Sequence, residues 1–200
     1  MAKLVRRPKD LVDLTHLVIP GGESTAISML IQSSELYEPI LEMIRQGKAI
    51  FGTCAGMILL ASEILDGRPD QICFSAIDIT VKRNGFGRQV NSFEARLAIG
   101  GIEGQDMVVA FIRAPVVTRV GPSVEVLAQV AYRFDGDNIE FVPAVCRSGN
   151  VLVTSFHPEV TGDSRLHKLF VEDFKVSSRG GVNVRSLKMG NDQTQEGRPG

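Results

Sequence analysis

Lys48-Ala49-Ile50-Phe51-Gly52-Thr53-Cys54-Ala55-Gly56 joins a short apolar run to a glycine-flanked cysteine, and residues 55–65 continue it with the composition of a helix. Strand, tight turn and helix in that order are the unit from which α/β sheets are built. Gly52-Thr53-Cys54-Ala55-Gly56 also has the G-x-nucleophile-x-G form of a nucleophile elbow, in which small neighbours permit a sharp turn that lifts the central side chain above the sheet. A thiol there lies at a helix N-terminus, whose positive end favours the thiolate, and the N–H of Ala55 can face an oxyanion. The plainer reading makes Cys54 a small buried residue in a turn. The strand before it and the helix after it favour the nucleophile.

Outward from the elbow the same unit recurs. His16-Leu17-Val18-Ile19-Pro20 reads as a second buried strand that stops at Pro20-Gly21-Gly22, with Ser24 as the cap of a helix starting near Thr25. A helix is expected over residues 36–45, ending near Gly47. Farther along, residues 77–82 and 93–98 alternate as half-buried strands, and residues 107–112, 124–130, 141–146 and 151–154 add four more, read as antiparallel additions to the sheet. Residues 164–174 space Leu166, Leu169, Phe170 and Phe174 on one helical face. The expected fold is α/β, with a mostly parallel sheet flanked by helices, over residues 1–175. From 176 to 200 the chain is rich in Gly, Ser, Asn and Gln without apolar periodicity, and reads as a disordered tail.

Composition narrows the function classes. The chain has 200 residues, 44% hydrophobic and 22% charged, enough for one domain with a substantial core. A net charge of −1 with dispersed Lys and Arg gives no reason to expect nucleic acid or an anionic membrane as partner. Three cysteines, at 54, 73 and 146, form no disulfide framework or zinc spacing, so no metal or cofactor is expected and a reducing, cytoplasmic setting fits. The opening MAKLVRRPKDL lacks the apolar core of a signal peptide, and no run is long enough to cross a bilayer.

A nucleophile needs a base, and the base an orienting group. Of three histidines, His16 opens a core strand and His167 sits within the closing helix, so both read as structural or surface residues. His157 follows the strand Val151-Leu152-Val153-Thr154 in Ser155-Phe156-His157-Pro158-Glu159, where a strand end can present an imidazole beside the elbow. Glu159 can hold one ring nitrogen while the other faces Cys54; a surface histidine beside a turn is the alternative. In Pro20-Gly21-Gly22-Glu23-Ser24 the glycines let backbone approach a ligand, N–H groups such as that of Gly22 can meet an oxyanion, and Glu23 can meet an ammonium group. An ordinary capped turn is the plainer reading.

PGGES, GTCAG and SFHPE in that order resemble the class I glutamine amidotransferases, which carry a Cys-His-Glu triad on a flavodoxin-like α/β sheet. More narrowly, Arg83-Asn84-Gly85-Phe86-Gly87-Arg88-Gln89, Ser92-Phe93-Glu94-Ala95 and Phe111-Ile112-Arg113-Ala114-Pro115 resemble the PdxT/SNO family, the glutaminase subunits of pyridoxal 5′-phosphate synthase. The blocks span residues 17–174. The resemblance implies hydrolysis of L-glutamine to glutamate and ammonia, with the ammonia passed to a synthase (lyase) subunit of PdxS/SNZ type for vitamin B6 biosynthesis. It implies Cys54, His157 and Glu159 as the triad, and Gly22, Glu23, Ser24, Arg83, Ile112 and Arg113 as glutamine contacts. Physically, a zwitterion needs a cation and an acceptor, which Arg83 and Glu23 can supply; Arg83 and Arg113 as surface charges stay open.

Two stretches depart from that pattern. The family opens with a strand and helix, including a Leu-Gln-Gly turn, before the segment that reads Leu4-Val5-Arg6-Arg7-Pro8-Lys9-Asp10-Leu11 here. An N-terminally truncated version of the fold is therefore expected, with apolar surface and sheet edge uncovered. Gln71-Ile72-Cys73-Phe74-Ser75-Ala76 stands where the family has a glycine-containing turn. Beside an active glutaminase, a non-catalytic truncated paralogue acting as a binding subunit and a different Cys-elbow hydrolase remain alternatives.

Overall fold

In the computed structural model of this chain, which describes residues 2–86, 92–134 and 138–174, the site is carried by three parallel strands. These are β1 (His16–Ile19), β2 (Ala49–Thr53) and a strand from far along the chain, Val151–Thr154. Leu17 pairs with Ile50, and Leu152 pairs with Phe51. β2 is buried at all five positions, as a strand covered on both faces must be. Its side chains alternate with the period of a strand: Ile50 enters one apolar cluster with Leu17, Met57 and Ile77, and Phe51 enters the other with Leu152, Phe111 and Phe170.

The remaining elements follow in chain order. Helices α1 (Ser24–Ser33), α2 (Tyr37–Arg45) and α3 (Ala55–Leu60) contribute to the first cluster. Strands β3 (Ala61–Ile64), β4 (Ile77–Lys82), β5 (Ser92–Leu97), β6 (Met107–Ile112), β7 (Val116–Val120), β8 (Glu125–Tyr132) and β9 (Glu140–Ser148) lead to β10, the Val151–Thr154 strand, and α4 (Arg165–Asp173) closes the second cluster. The main sheet has the order β1-β2-β10-β9-β8, its last two pairings antiparallel. Smaller sheets, β3-β4-β7 and β5-β6, stand beside it. Among the described residues β1 pairs on one side only, and Val18 on it is 43% exposed.

The expected strands at 77–82, 107–112 and 151–154 occur with those bounds, and the others within two residues of theirs. The helix expected over 55–65 stops at Leu60, however, and Ala61–Ile64 runs as a strand parallel to β4. Positions 50–61 are buried without interruption, so no period was present to separate strand from helix. The pairing decides it, with the Ser62 hydroxyl donating to the Ile79 carbonyl at 2.9 Å. Rather than extending the main sheet as antiparallel additions, β4 and β7 form a separate sheet with β3, β5 and β6 pair in one of their own, and β10 joins β2 in parallel. β7, next to Pro115, had no alternation to reveal it.

The departure at 71–76 acquires a physical account. The segment straps α1 to the core: the Ile72 N–H donates to the Ser28 hydroxyl at 2.8 Å, Gln71 Nε2 donates to the Ser24 carbonyl at 3.2 Å, and Phe74 stacks on Tyr37. Ser75 takes the left-handed conformation, φ 51°, where a glycine is ordinarily preferred. No helix among the described residues is long and apolar enough to cross a membrane. Gly87, Arg88 and Gln89 of the resembling block, and the tail read over 176–200, lie outside the described residues.

Candidate active site

The elbow is built on contacts that leave no room for larger residues. A Cβ on Gly56 would lie 2.1 Å from the Ile19 carbonyl oxygen, and one on Gly52 2.6 Å from the carbonyl carbon of Gly56. Between them Cys54 takes φ 49°, ψ −102°, a conformation that costs on the order of 1–3 kcal/mol and persists only where surroundings fix it. The fixing is visible in its N–H, which donates to the Thr154 carbonyl at 2.8 Å.

Burial is the largest influence on the Cys54 thiol and pushes its pKa up to about 11 from an ordinary 9.0, with the negative charge of Glu159 acting in the same direction. Opposing them are the backbone N–H groups of Ala55 and Gly22, which pull it down. The resting group is thus a neutral thiol, and its Sγ donates to the Ile112 carbonyl at 3.8 Å.

His157 is held by backbone and side chain alike. Its N–H donates to the Ala110 carbonyl at 3.0 Å, which bridges the end of β10 to β6. Its Nδ1 lies 2.8 Å from Glu159 Oε1, with the histidine side chain 14% exposed. A carboxylate accepts only, so Nδ1 carries the proton toward Glu159 and Nε2 keeps the lone pair of a base. The ring rests on Gly21, where an added Cβ would lie 2.2 Å from Cε1. The turn after β1 and the His157 imidazole are thus packed directly on each other.

The cradle departs from expectation at its cap. Glu23, not Ser24, caps α1: Oε1 accepts from Thr25 N–H at 3.0 Å and Oε2 from Ala26 N–H at 2.7 Å. These bonds, the Thr25 amide foremost, hold the Glu23 carboxyl below its usual range. Oε1 also meets Arg83 Nη2 at 3.1 Å. The two residues expected at opposite ends of a zwitterion therefore pair with each other in the free site. Ser24 begins α1, with a buried hydroxyl that has no hydrogen-bond partner among the described residues. Ile112 and Arg113 are exposed beside the sulfur, and Arg113 takes φ 45°.

The other two histidines lie in the packing. His16 meets the edge of Phe170 and bonds Thr15 through Nδ1, and His167 meets Phe51. Among the described residues no group of His, Cys, Asp and Glu is arranged to hold a metal ion. Sequence reasoning assigned Ile112 to the ligand without foreseeing its carbonyl on the sulfur. It read the closeness of Gly21 as approach to a ligand, whereas the close neighbour is the imidazole.

Comparison with known families now bears on this geometry. The family described as the SNO glutamine amidotransferase family matches residues 1–176. The chain belongs to the SNO glutamine amidotransferase family. Within it, a protein of Salinispora arenicola named pyridoxal 5′-phosphate synthase subunit PdxT is 56% identical over 171 residues, covering 86% of this chain and 83% of that protein. A Nocardia farcinica protein of the same name is 51% identical over 183 residues, 92% of this chain and 79% of its own. A solved structure of a glutamine amidotransferase superposes with a TM-score of 0.75 at 44% identity, covering 86% of this chain and 85% of its own. The α/β architecture described above is that of the SNO amidotransferases.

Proposed function

We propose that this chain is the glutaminase subunit of a pyridoxal 5′-phosphate synthase, hydrolysing the side-chain amide of L-glutamine and delivering the ammonia to a synthase subunit. The observation that carries the reading is the strained elbow that ties Cys54 to the end of β10, the strand that leads directly to an imidazole whose Nδ1 is held by Glu159 at 2.8 Å. Family membership and the names of the relatives support glutamine as substrate and a synthase subunit as partner.

In this mechanism the glutamine carbonyl oxygen enters between the Gly22 and Ala55 amides. The Cys54 thiol passes its proton to His157 Nε2, and the sulfur bonds to the amide carbon. His157 gives that proton to the nitrogen, which leaves as ammonia and frees a thioester. Water then loses a proton to His157 and attacks the thioester. The thiol is restored and glutamate departs. A neutral resting thiol suits this order, because proton transfer waits for the substrate that the oxyanion donors stabilise. Ser24, Arg83 and the Ile112-Arg113 pair would hold the amino-acid end, with Glu23 orienting Arg83 and the α1 terminus.

Glutamate release, measured with and without the synthase subunit, tests the proposal. Release that requires Cys54 supports it; no release in the complex, or full release by Cys54→Ala, overturns it.

A further inference from the structure

Two glycines follow Pro20 in succession, and they are glycine for different reasons. Gly22 has φ +144°, a conformation that side chains rarely adopt. Gly21 is not among the residues of positive φ, so its backbone accepts an alanine. The three atoms nearest an added side chain there all belong to the His157 ring: a Cβ would stand 2.2 Å from Cε1, 2.8 Å from Nδ1 and 3.1 Å from Nε2. Two of these separations are shorter than any ordinary contact, so either the ring or the turn must shift.

The ring has little freedom to yield in place. Its backbone is tied on both sides, through its own N–H to Ala110 and through its carbonyl, which accepts from Val160 N–H at 3.3 Å. Pro158 restricts the backbone of His157 before it, and Glu159 holds Nδ1 at 2.8 Å. A methyl group at position 21 presses on Cε1, the atom between the two nitrogens, and drives the imidazole off the cradle together with its Nε2.

We propose that Gly21 is a positioning residue for the base: its missing side chain is the slot in which the His157 ring stands. The turn that offers the Gly22 amide to the sulfur thereby also sets where the proton acceptor lies relative to that sulfur. This rests on the reading of Cys54 and His157 as nucleophile and base. Its consequence is a split between kinetic constants. The cradle atoms of Ser24 and Arg83 are not touched by a Cβ at position 21, so substrate binding is retained while proton transfer is lost.

The test is a double-variant cycle on the full chain, assayed with the synthase subunit present. Gly21→Ala is expected to lower kcat on the order of 10²-fold with KM changed by less than about threefold. It is also expected to lower Tm in the wild-type background but not in His157→Ala, where the slot is empty. Wild-type kcat in Gly21→Ala, or an equal loss of Tm in both backgrounds, overturns the proposal. If Gly21→Ala alone does not fold, folding of Gly21→Ala/His157→Ala supports the slot and failure of both variants contradicts it. Were the wild-type complex to release no glutamate, the glutaminase reading would fall, while the Tm cycle would still decide whether Gly21 makes room for the ring.

Discussion

The turn at Gly52–Gly56 and the turn at Pro20–Ser24 both end a parallel strand and both begin a helix, yet they contribute opposite things. The first strains a non-glycine residue, Cys54 at φ 49°, in order to project a side chain. The second places glycine at the strained position, Gly22 at φ +144°, and at the crowded one, Gly21, so that backbone and empty space do the work. They meet where β1 ends, since a Cβ on Gly56 would lie 2.1 Å from the carbonyl oxygen of Ile19, the residue before the second turn. In the proposed mechanism one strand–turn–helix unit supplies the nucleophile and the other an amide and a slot. Their contact fixes the two relative to each other.

The comparison breaks most completely at its one projecting side chain. Cys54→Ala should reduce glutamate release by a factor on the order of 10⁴ or more, with circular dichroism unchanged. Glu159→Gln should separate reactivity from turnover. The Glu159 charge raises the thiol pKa, so removing it lowers that pKa from about 11 and increases the thiolate fraction at a given alkaline pH. Alkylation of resting Cys54 by iodoacetamide should therefore quicken, while kcat falls on the order of 10²-fold because a neutral amide stabilises the imidazolium less. Slower alkylation in this variant would contradict the assigned sign.

Gly56→Ala attacks the contact between the turns. Its Cβ meets backbone, which cannot rotate away as a side chain can, and about 2 kcal/mol of stability should be lost in a denaturant titration. The smallest effect is expected at the cap. Glu23→Ala removes the acceptor for two α1 amides and the partner of Arg83, costing about 1 kcal/mol and raising KM more than it lowers kcat.

Much of this arrangement was legible in the sequence because it is local. GTCAG, PGGES and SFHPE each state a turn and the strand before it, and β10 ends at Thr154 as the apolar run Val151-Leu152-Val153 suggests. What stayed hidden depends on contacts distant in the chain. Ala61–Ile64 is a strand only because β4 lies beside it, and the Ile112 carbonyl reaches Cys54 only through the path of β6. The cap was misread for a related reason. Serine is the commoner N-cap, but Glu23 has the reach to accept two amides and to pair with Arg83, 60 residues away, leaving the Ser24 hydroxyl buried and uncommitted.

The central claim, that Cys54 is the nucleophile of a glutaminase, is tested most directly by intact-mass and peptide mapping after exposure to a glutamine-mimicking electrophile such as a diazoketone, with the synthase subunit present. The account predicts one adduct, on the peptide containing Cys54, suppressed by excess glutamine and absent from His157→Ala at matched times. Labelling of Cys73 or Cys146 in its place, or continued glutamate release with Cys54 fully modified, would contradict it.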